Sequence, residues 1–293
     1  MTYDIVHLTL YDYAAPVSVS RHVARLEPRT TATQRCDAFT LKVLPVPTLR
    51  KSRTDYFGNQ LCFFSLQEVH ERLEIVTRSR VQVRSPAATR PEASPAWEQV
   101  AGLFRDPVSL DVVEPFEFVF DSPQVRASLT LADYARESFG ADTPLLAGAR
   151  DLTRRIFTDF KYDPQATTVA TPLEEVIEKR RGVCQDFAHL GIACLRSLGL
   201  PARYVSGYLR THPPEGKERL QGADASHAWF SVFCPETGWL DFDPTNNLQP
   251  GEEHITVAYG RDFGDVSPVA GILTGGGAHE VKVAVDVTEV PAE

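Results

Sequence analysis

Arg181-Gly182-Val183-Cys184-Gln185-Asp186-Phe187-Ala188-His189-Leu190 is the stretch whose reading decides the fold of this chain. Gly182 marks a tight turn that a bulkier residue would resist. From Cys184 to Leu198 the residues are mostly apolar and the run is long enough for a buried helix, which Gly199 ends in the manner of a C-cap. The predicted helix therefore begins on a thiol. A cysteine attacks as thiolate, and the aligned N–H dipoles of a helix N-terminus favour that form. The backbone N–H of Cys184 is then free to meet a developing oxyanion.

Two later segments supply partners. His227 stands in Ser226-His227-Ala228-Trp229, and Asp243 in Leu240-Asp241-Phe242-Asp243-Pro244-Thr245-Asn246. Both fall on strand-like runs, Ala228 to Cys234 and Trp239 to Asp243, with Pro235-Glu236-Thr237-Gly238 near the tip of an expected hairpin. Thiol, imidazole and carboxylate are the parts of a nucleophile, base and orienter. The hairpin register tests whether they can meet. A loop of three or five residues puts Asp243 opposite Trp229 and leaves His227 as its same-face diagonal neighbour, roughly 7–8 Å away at Cα. A four-residue loop without a bulge puts the two on opposite faces. Asp241 shares the parity of Asp243 and stays a rival carboxylate. Asp243 also suits a plain turn role, since Asp-Pro-Thr-Asn caps its own backbone well.

Helix geometry removes two other residues. His189 lies five positions after Cys184, about 140° around the axis, and so faces away from the sulfur. Cys194 is about 15 Å further along the helix. Asp186 fits first-turn capping. Gln185 is a possible lining of the oxyanion pocket, with solvent or packing as its simpler role. Trp229 shares a strand face with His227 and is expected to pack beneath the site. Gly275-Gly276-Gly277 lacks the Lys-Ser/Thr of a phosphate loop. Arg261, Asp262 and Asp265 read as a salt-bridged loop.

Around this centre the chain divides. Residues 1–85 are β-rich, with alternating runs such as Ile5 to Tyr11, Phe39 to Leu44 and Leu73 to Thr77, and predict a small antiparallel β-sandwich. Residues 86–96 form a Pro/Ala/Ser linker. Residues 97–293 hold the rest, with helices expected over Trp97 to Phe104, Leu131 to Phe139 and Pro144 to Phe160. A further short helix is expected after Thr171 as N-cap. Glu280 to Val287 alternates cleanly and has to pair with an existing sheet. Thr211 to Ala225 is a polar loop suited to a lid. The fold class expected is α+β.

Composition narrows the function. The formal charge of the 293 residues is −9, which argues against nucleic acid as a partner because phosphate binding needs a basic surface. The five cysteines, Cys36, Cys62, Cys184, Cys194 and Cys234, are scattered with no C-x-x-C pair, which argues against disulfide scaffolds and zinc sites. The start of the sequence has neither a basic region nor an apolar run, and no window approaches a membrane span. A cytoplasmic location, no membrane partner, no metal and no cofactor are the expectations.

Arg181 to His189, Gly199-Leu200-Pro201-Ala202-Arg203-Tyr204-Val205-Ser206-Gly207-Tyr208, Ser226 to Trp229 and Phe242 to Asn246 together resemble the core of the transglutaminase-like superfamily. Leu26-Glu27-Pro28-Arg29, Asp55-Tyr56-Phe57-Gly58-Asn59 and Gly260-Arg261-Asp262-Phe263-Gly264-Asp265-Val266 fit its bacterial cysteine-peptidase-like branch, which has a β-rich N-terminal region. The resemblance implies a papain-like core, no metal requirement, and Cys184, His227 and Asp243 as nucleophile, base and orienter. It also suggests Tyr162 as a second oxyanion donor. The expected activity is peptidase, amidase or transglutaminase-type acyl transfer through a Cys184 thioester. The substrate would be a peptide or protein, with an amine as a possible acceptor and a partner protein possible at the N-terminal region. The alternative is a non-catalytic interaction module that keeps the fold.

Overall fold

The computed structural model describes residues 1–105, 113–212 and 225–291. The expected lid over 211–225 falls, apart from its ends, outside them. The first strand, β1 (Thr2–Ala24), organises the N-terminal region. β2 (Gln34–Leu44), β3 (Leu49–Thr54), β4 (Gln60–Leu66) and β5 (His70–Val83) follow, all antiparallel to their neighbours. β1 shifts register between Asp12 and Val17, so its first half pairs with β5 and its last residues with β4. A bulge of this kind bends a strand. The expected sandwich is accordingly one antiparallel sheet curled on itself. Val17, Leu41, Phe64, Leu66, Leu73 and Ile75 form its own core. β3 is the exposed edge and carries Arg50, Lys51 and Arg53, charges that discourage edge-to-edge pairing.

The helical layer holds α1 (Trp97–Arg105), α2 (Val113–Phe116), α3 (Leu129–Arg136), α4 (Leu145–Asp159) and α5 (Leu173–Lys179). Thr171 is not the cap of α5: Pro172 occupies that place, and the Thr171 hydroxyl accepts from the Thr168 N–H at 2.8 Å. Two-residue strands β6 (Lys161–Tyr162) and β7 (Arg181–Gly182) pair in parallel just before α6 (Cys184–Ser197). The central sheet follows, in the order β10-β9-β8-β11. Its strands are β8 (Ala202–Leu209), β9 (Ala225–Cys234), β10 (Gly238–Phe242) and β11 (His254–Gly260), with the short α7 (Phe263–Val266) after them. α6 is buried along nearly all its length and lies on this sheet. A Cβ on Gly191 would stand 2.5 Å from the Phe230 ring, so the glycine sets how closely helix and strand approach. No described helix is long and apolar enough to cross a membrane.

The last two strands, β12 (Val269–Gly275) and β13 (His279–Glu289), return to the N-terminal sheet. Both pair with β1 and bring that sheet to seven strands. The sheet that Glu280 to Val287 needed is therefore the N-terminal one, although the sequence places those strands after the core. Tyr3, Ile5, Val81, Val83, Val285 and Val287 join α6 and the central sheet in one continuous core.

Two side-chain amides complete the junction. The Gln34 amide donates to the Thr256 carbonyl at 2.8 Å and accepts from the Thr256 N–H at 2.8 Å. Asn59 does the same with Tyr259, at 2.7 and 2.8 Å. Each amide imitates a neighbouring strand and satisfies the open edge of β11, which would otherwise present bare N–H and C=O groups. The junction thereby fixes β11, the strand that carries His254.

Candidate active site

α6 begins where its sequence says it should, and for a reason the sequence did not reveal. The Asp186 carboxylate turns back and accepts from the Val183 N–H at 2.8 Å and from the Thr167 hydroxyl at 2.6 Å. A Cβ on Gly182 would lie 2.7 Å from that carboxylate. Gly182 is thus required for space, and its φ is not positive. Burial pushes the Asp186 carboxyl up, against the pull of both hydrogen bonds. Cys184 is half-buried at the first helical position.

The hairpin has the odd loop. Gly238 pairs with Cys234 across residues 235–237, and Phe242 pairs with Phe230. That register sets Asp243 opposite Trp229. His227 Nε2 donates to Asp243 Oδ2 at 2.8 Å, and both side chains are buried. With Nε2 so engaged, the other ring nitrogen remains for the thiol, and Cys184 lies close enough to His227 to raise its pKa. Burial alone would lower the pKa of His227, but Asp243 and Cys184 outweigh it and hold it at about 9. Burial would likewise raise Asp243, yet its hydrogen bonds from His227, His254 and Asn246 keep the carboxyl well below the usual range.

Asp243 fills both roles left open by the sequence. Its Oδ1 caps the turn, accepting from the N–H groups of Thr245 (2.9 Å) and Asn246 (3.2 Å). Its Oδ2 accepts from His227, from the Asn246 amide at 2.7 Å and from His254 Nε2 at 3.1 Å. Asp241 is committed elsewhere: Trp229 Nε1 donates to it at 3.0 Å, and so does the Ser231 hydroxyl. Trp229 is fully buried, its ring centre 5.9 Å from that of His227 and edge-on to His254 at 5.2 Å. Gly207 makes room for it, since a Cβ there would meet the indole at 2.5 Å.

His254 is the residue sequence reading missed. Its one signal was a histidine inside the apolar run His254-Ile255-Thr256-Val257-Ala258, shortly after the Asp243 turn. His227, Asp243 and His254 present three ligand atoms within 4.8 Å of one another. Those atoms already form a hydrogen-bond network in which both Nε2 atoms carry protons toward Oδ2. A metal would have to displace both protons, and the donor set reads as an orienting cluster.

The remaining expected residues fall as follows. Tyr162 pairs with Gly182 across β6 and β7 and is half exposed. Burial, and then the charge of Cys184, push its phenol up. Gln185 donates to the Val169 carbonyl at 3.3 Å, so its amide ties the preceding loop to α6. His189 faces away from the sulfur and accepts from the Phe263 N–H at 3.0 Å, with burial lowering its pKa to about 4. Cys194 sits in the core, where burial pushes its thiol up to about 12. Arg261 and Asp265 form the expected ion pair at 2.8 Å.

Comparison with known proteins agrees with this architecture. Residues 3–82 match the profile described as the bacterial transglutaminase-like N-terminal region, and residues 132–244 that of the transglutaminase-like superfamily. The chain belongs to the transglutaminase-like superfamily, and its Cys184, His227 and Asp243 all lie within the second match. It is 42% identical over 301 residues to uncharacterized proteins of Mycobacterium bovis and Mycobacterium tuberculosis, covering 99% of this chain and 93% of theirs. A protein-glutamine gamma-glutamyltransferase of Pseudomonas aeruginosa is 31% identical over 137 residues, 44% of this chain and 19% of that protein. The fold is shared with a candidate cysteine protease from Cytophaga hutchinsonii. That likeness has a TM-score of 0.76 at 22% identity and covers 100% of this chain and 92% of the other.

Proposed function

We propose that the protein is a thiol enzyme that cleaves or transfers amide-linked acyl groups, with Cys184 as nucleophile, His227 as base and Asp243 as orienter. The observation that carries this reading is the buried His227–Asp243 hydrogen bond of 2.8 Å, with Cys184 at the start of α6 near enough to raise the His227 pKa. His227 takes the thiol proton, and the sulfur attacks the carbonyl carbon of the substrate. The negative oxygen so formed is met by the N–H of Cys184 at the helix start, with the Tyr162 hydroxyl as the proposed second donor. Collapse of that intermediate breaks the C–N bond, and His227 returns the proton to the leaving amine. The Cys184 thioester is then resolved by water or by an amine, again with His227 taking the proton. Asp243 keeps the imidazole in the tautomer that both steps need.

We favour water as acceptor, because nothing in the sequence motifs indicates a dedicated amine site. Peptides or proteins are the substrate class this chemistry serves. The five cysteines are all free, which suits a reducing compartment, and the cytoplasm is the location we propose. The test is to incubate the protein with peptide p-nitroanilides and glutamine-containing peptides, with and without a primary amine, and to trap adducts by acid quench and mass spectrometry. An acyl group on Cys184 with free acid as the main product supports the reading. Amine conjugates as the main product would make the protein a transglutaminase. Absence of any adduct across the panel would favour the interaction module.

A further inference from the structure

The central sheet has a second face. Phe230 and its alternate neighbours pack on α6, whereas Arg203, Trp229 and Asp241 point the other way. On that far face a cavity of about 700 Å3 opens toward segments 31–34 and 83–94. It lies within the size range of small-molecule sites. Cys184, His227 and Asp243 are not part of its wall, but His254 is.

Two residues of the cavity wall each carry a buried nitrogen that no described residue satisfies. Arg203 is only 8% exposed, and no described residue accepts a hydrogen bond from its Nε. Its one ion pair, with the exposed Glu114, is long at 3.9 Å. Asp241 lies close enough to feel its charge but gives both oxygens to Trp229 and Ser231. The rings of Tyr259 and Trp239 hold the guanidinium carbon at 3.7 and 4.2 Å from their centres. Clamped by its faces, the guanidinium offers its edge, the geometry that receives a planar carboxylate. A buried cation with only a long ion pair is poorly compensated, and buried donors are almost always paired. The second orphan is His254 Nδ1, whose partner nitrogen bonds Asp243.

We propose that this cavity is a ligand site for a carboxylate, free or at a peptide C-terminus, with the acid on the edge of Arg203. The apolar remainder of the ligand would lie among Trp239, Leu240 and Pro250. Occupancy reaches the active site through His254, because a group bonded at Nδ1 alters how strongly Nε2 holds Asp243. That second part rests on the thiol-enzyme reading, and the binding part does not.

Calorimetry on the full chain tests the binding, with phenylacetate against phenylacetamide and acetyl-Ala-Phe against its C-terminal amide. The acids bind saturably and at least about tenfold tighter than the amides, the least expected of one lost charge-assisted bond. The tighter acid of the two names the source, small molecule or peptide end. Arg203→Gln removes the preference for acid over amide. Equal binding of acid and amide, or no binding of either, overturns the site without need of the variant. Saturating acid also changes the alkylation rate of Cys184 at least threefold at fixed pH. Binding with an unchanged rate overturns the link through His254 and leaves the site. Binding in a protein whose Cys184 alkylates like a free thiol contradicts the catalytic reading alone.

Discussion

Asp243 and Arg203 belong to one corner and one face of the same sheet, and they are buried on opposite terms. Asp243 is fully buried and accepts five hydrogen bonds, from His227, His254, the Asn246 amide and two backbone N–H groups. Arg203 is nearly as buried, yet its Nε meets no acceptor among the described residues and its ion pair with Glu114 is long at 3.9 Å. A charge with every lone pair engaged is held in one geometry, as an orienting group must be. A charge with its edge free is held by ring faces and waits for a partner. On the proposed reading, the difference separates a group that positions chemistry from a group that binds a ligand.

Breaking the satisfied side should have the largest effect. Asp243→Asn keeps the shape and removes the charge, and the rate of any amide turnover should fall by about 100- to 10,000-fold, because the imidazole loses its tautomer control. Asp241→Asn, two residues away on the same face, should change that rate less than about threefold and cost about 1–2 kcal/mol in denaturant unfolding, the price of imperfectly paired donors on Trp229 and Ser231. Equal rate losses for the two variants would dissolve the distinction between these carboxylates.

The charge network also sets a pH dependence. The folded pKa of His227, about 9, lies above its ordinary value of 6.5. A raised histidine contributes stability that is fully present below about pH 6.5 and is lost as pH rises through about 9. Unfolding free energy should therefore drop across that window by on the order of 3 kcal/mol, and His227→Gln should flatten the drop. A wild-type profile flat from pH 6.5 to 9 would contradict the assigned coupling.

Smaller effects sharpen the comparison at the junction. Gln34→Ala leaves the Thr256 N–H at the β11 edge without its partner, while the Thr256 carbonyl keeps the Arg29 N–H at 3.1 Å, and should cost about 1–2 kcal/mol in chemical denaturation. His254→Phe should lower turnover about tenfold by removing one donor from Asp243, and His254→Gln, which keeps a donor, should restore most of it. A pH–rate profile shifted in the Phe variant and normal in the Gln variant marks positioning. Equal losses in both would assign His254 to packing.

Much of this site was legible because local rules governed it. The helix start at Cys184 followed from an apolar run and a glycine. The parity of β9 and β10 followed from one three-residue loop, and it brought His227 and Asp243 together. What stayed hidden depended on distant pairing. The place of His254 comes from β11 lying beside β8, and from Gln34 and Asn59 gripping β11 across two hundred or more residues of sequence. The return of β12 and β13 to β1 is equally non-local. Alternation marked both strands but could not say which edge would receive them. Gly182 was read for its turn and matters for its missing Cβ, a requirement set by a carboxylate that only the folded chain brings near.

The most direct test of the central claim is the alkylation rate of Cys184 against pH, in wild type and in His227→Ala, with the modified residue identified by mass spectrometry. An activated Cys–His pair predicts fast alkylation that persists well below pH 8 and is lost in the variant. An ordinary thiol profile, slow at neutral pH and the same in both proteins, would contradict it.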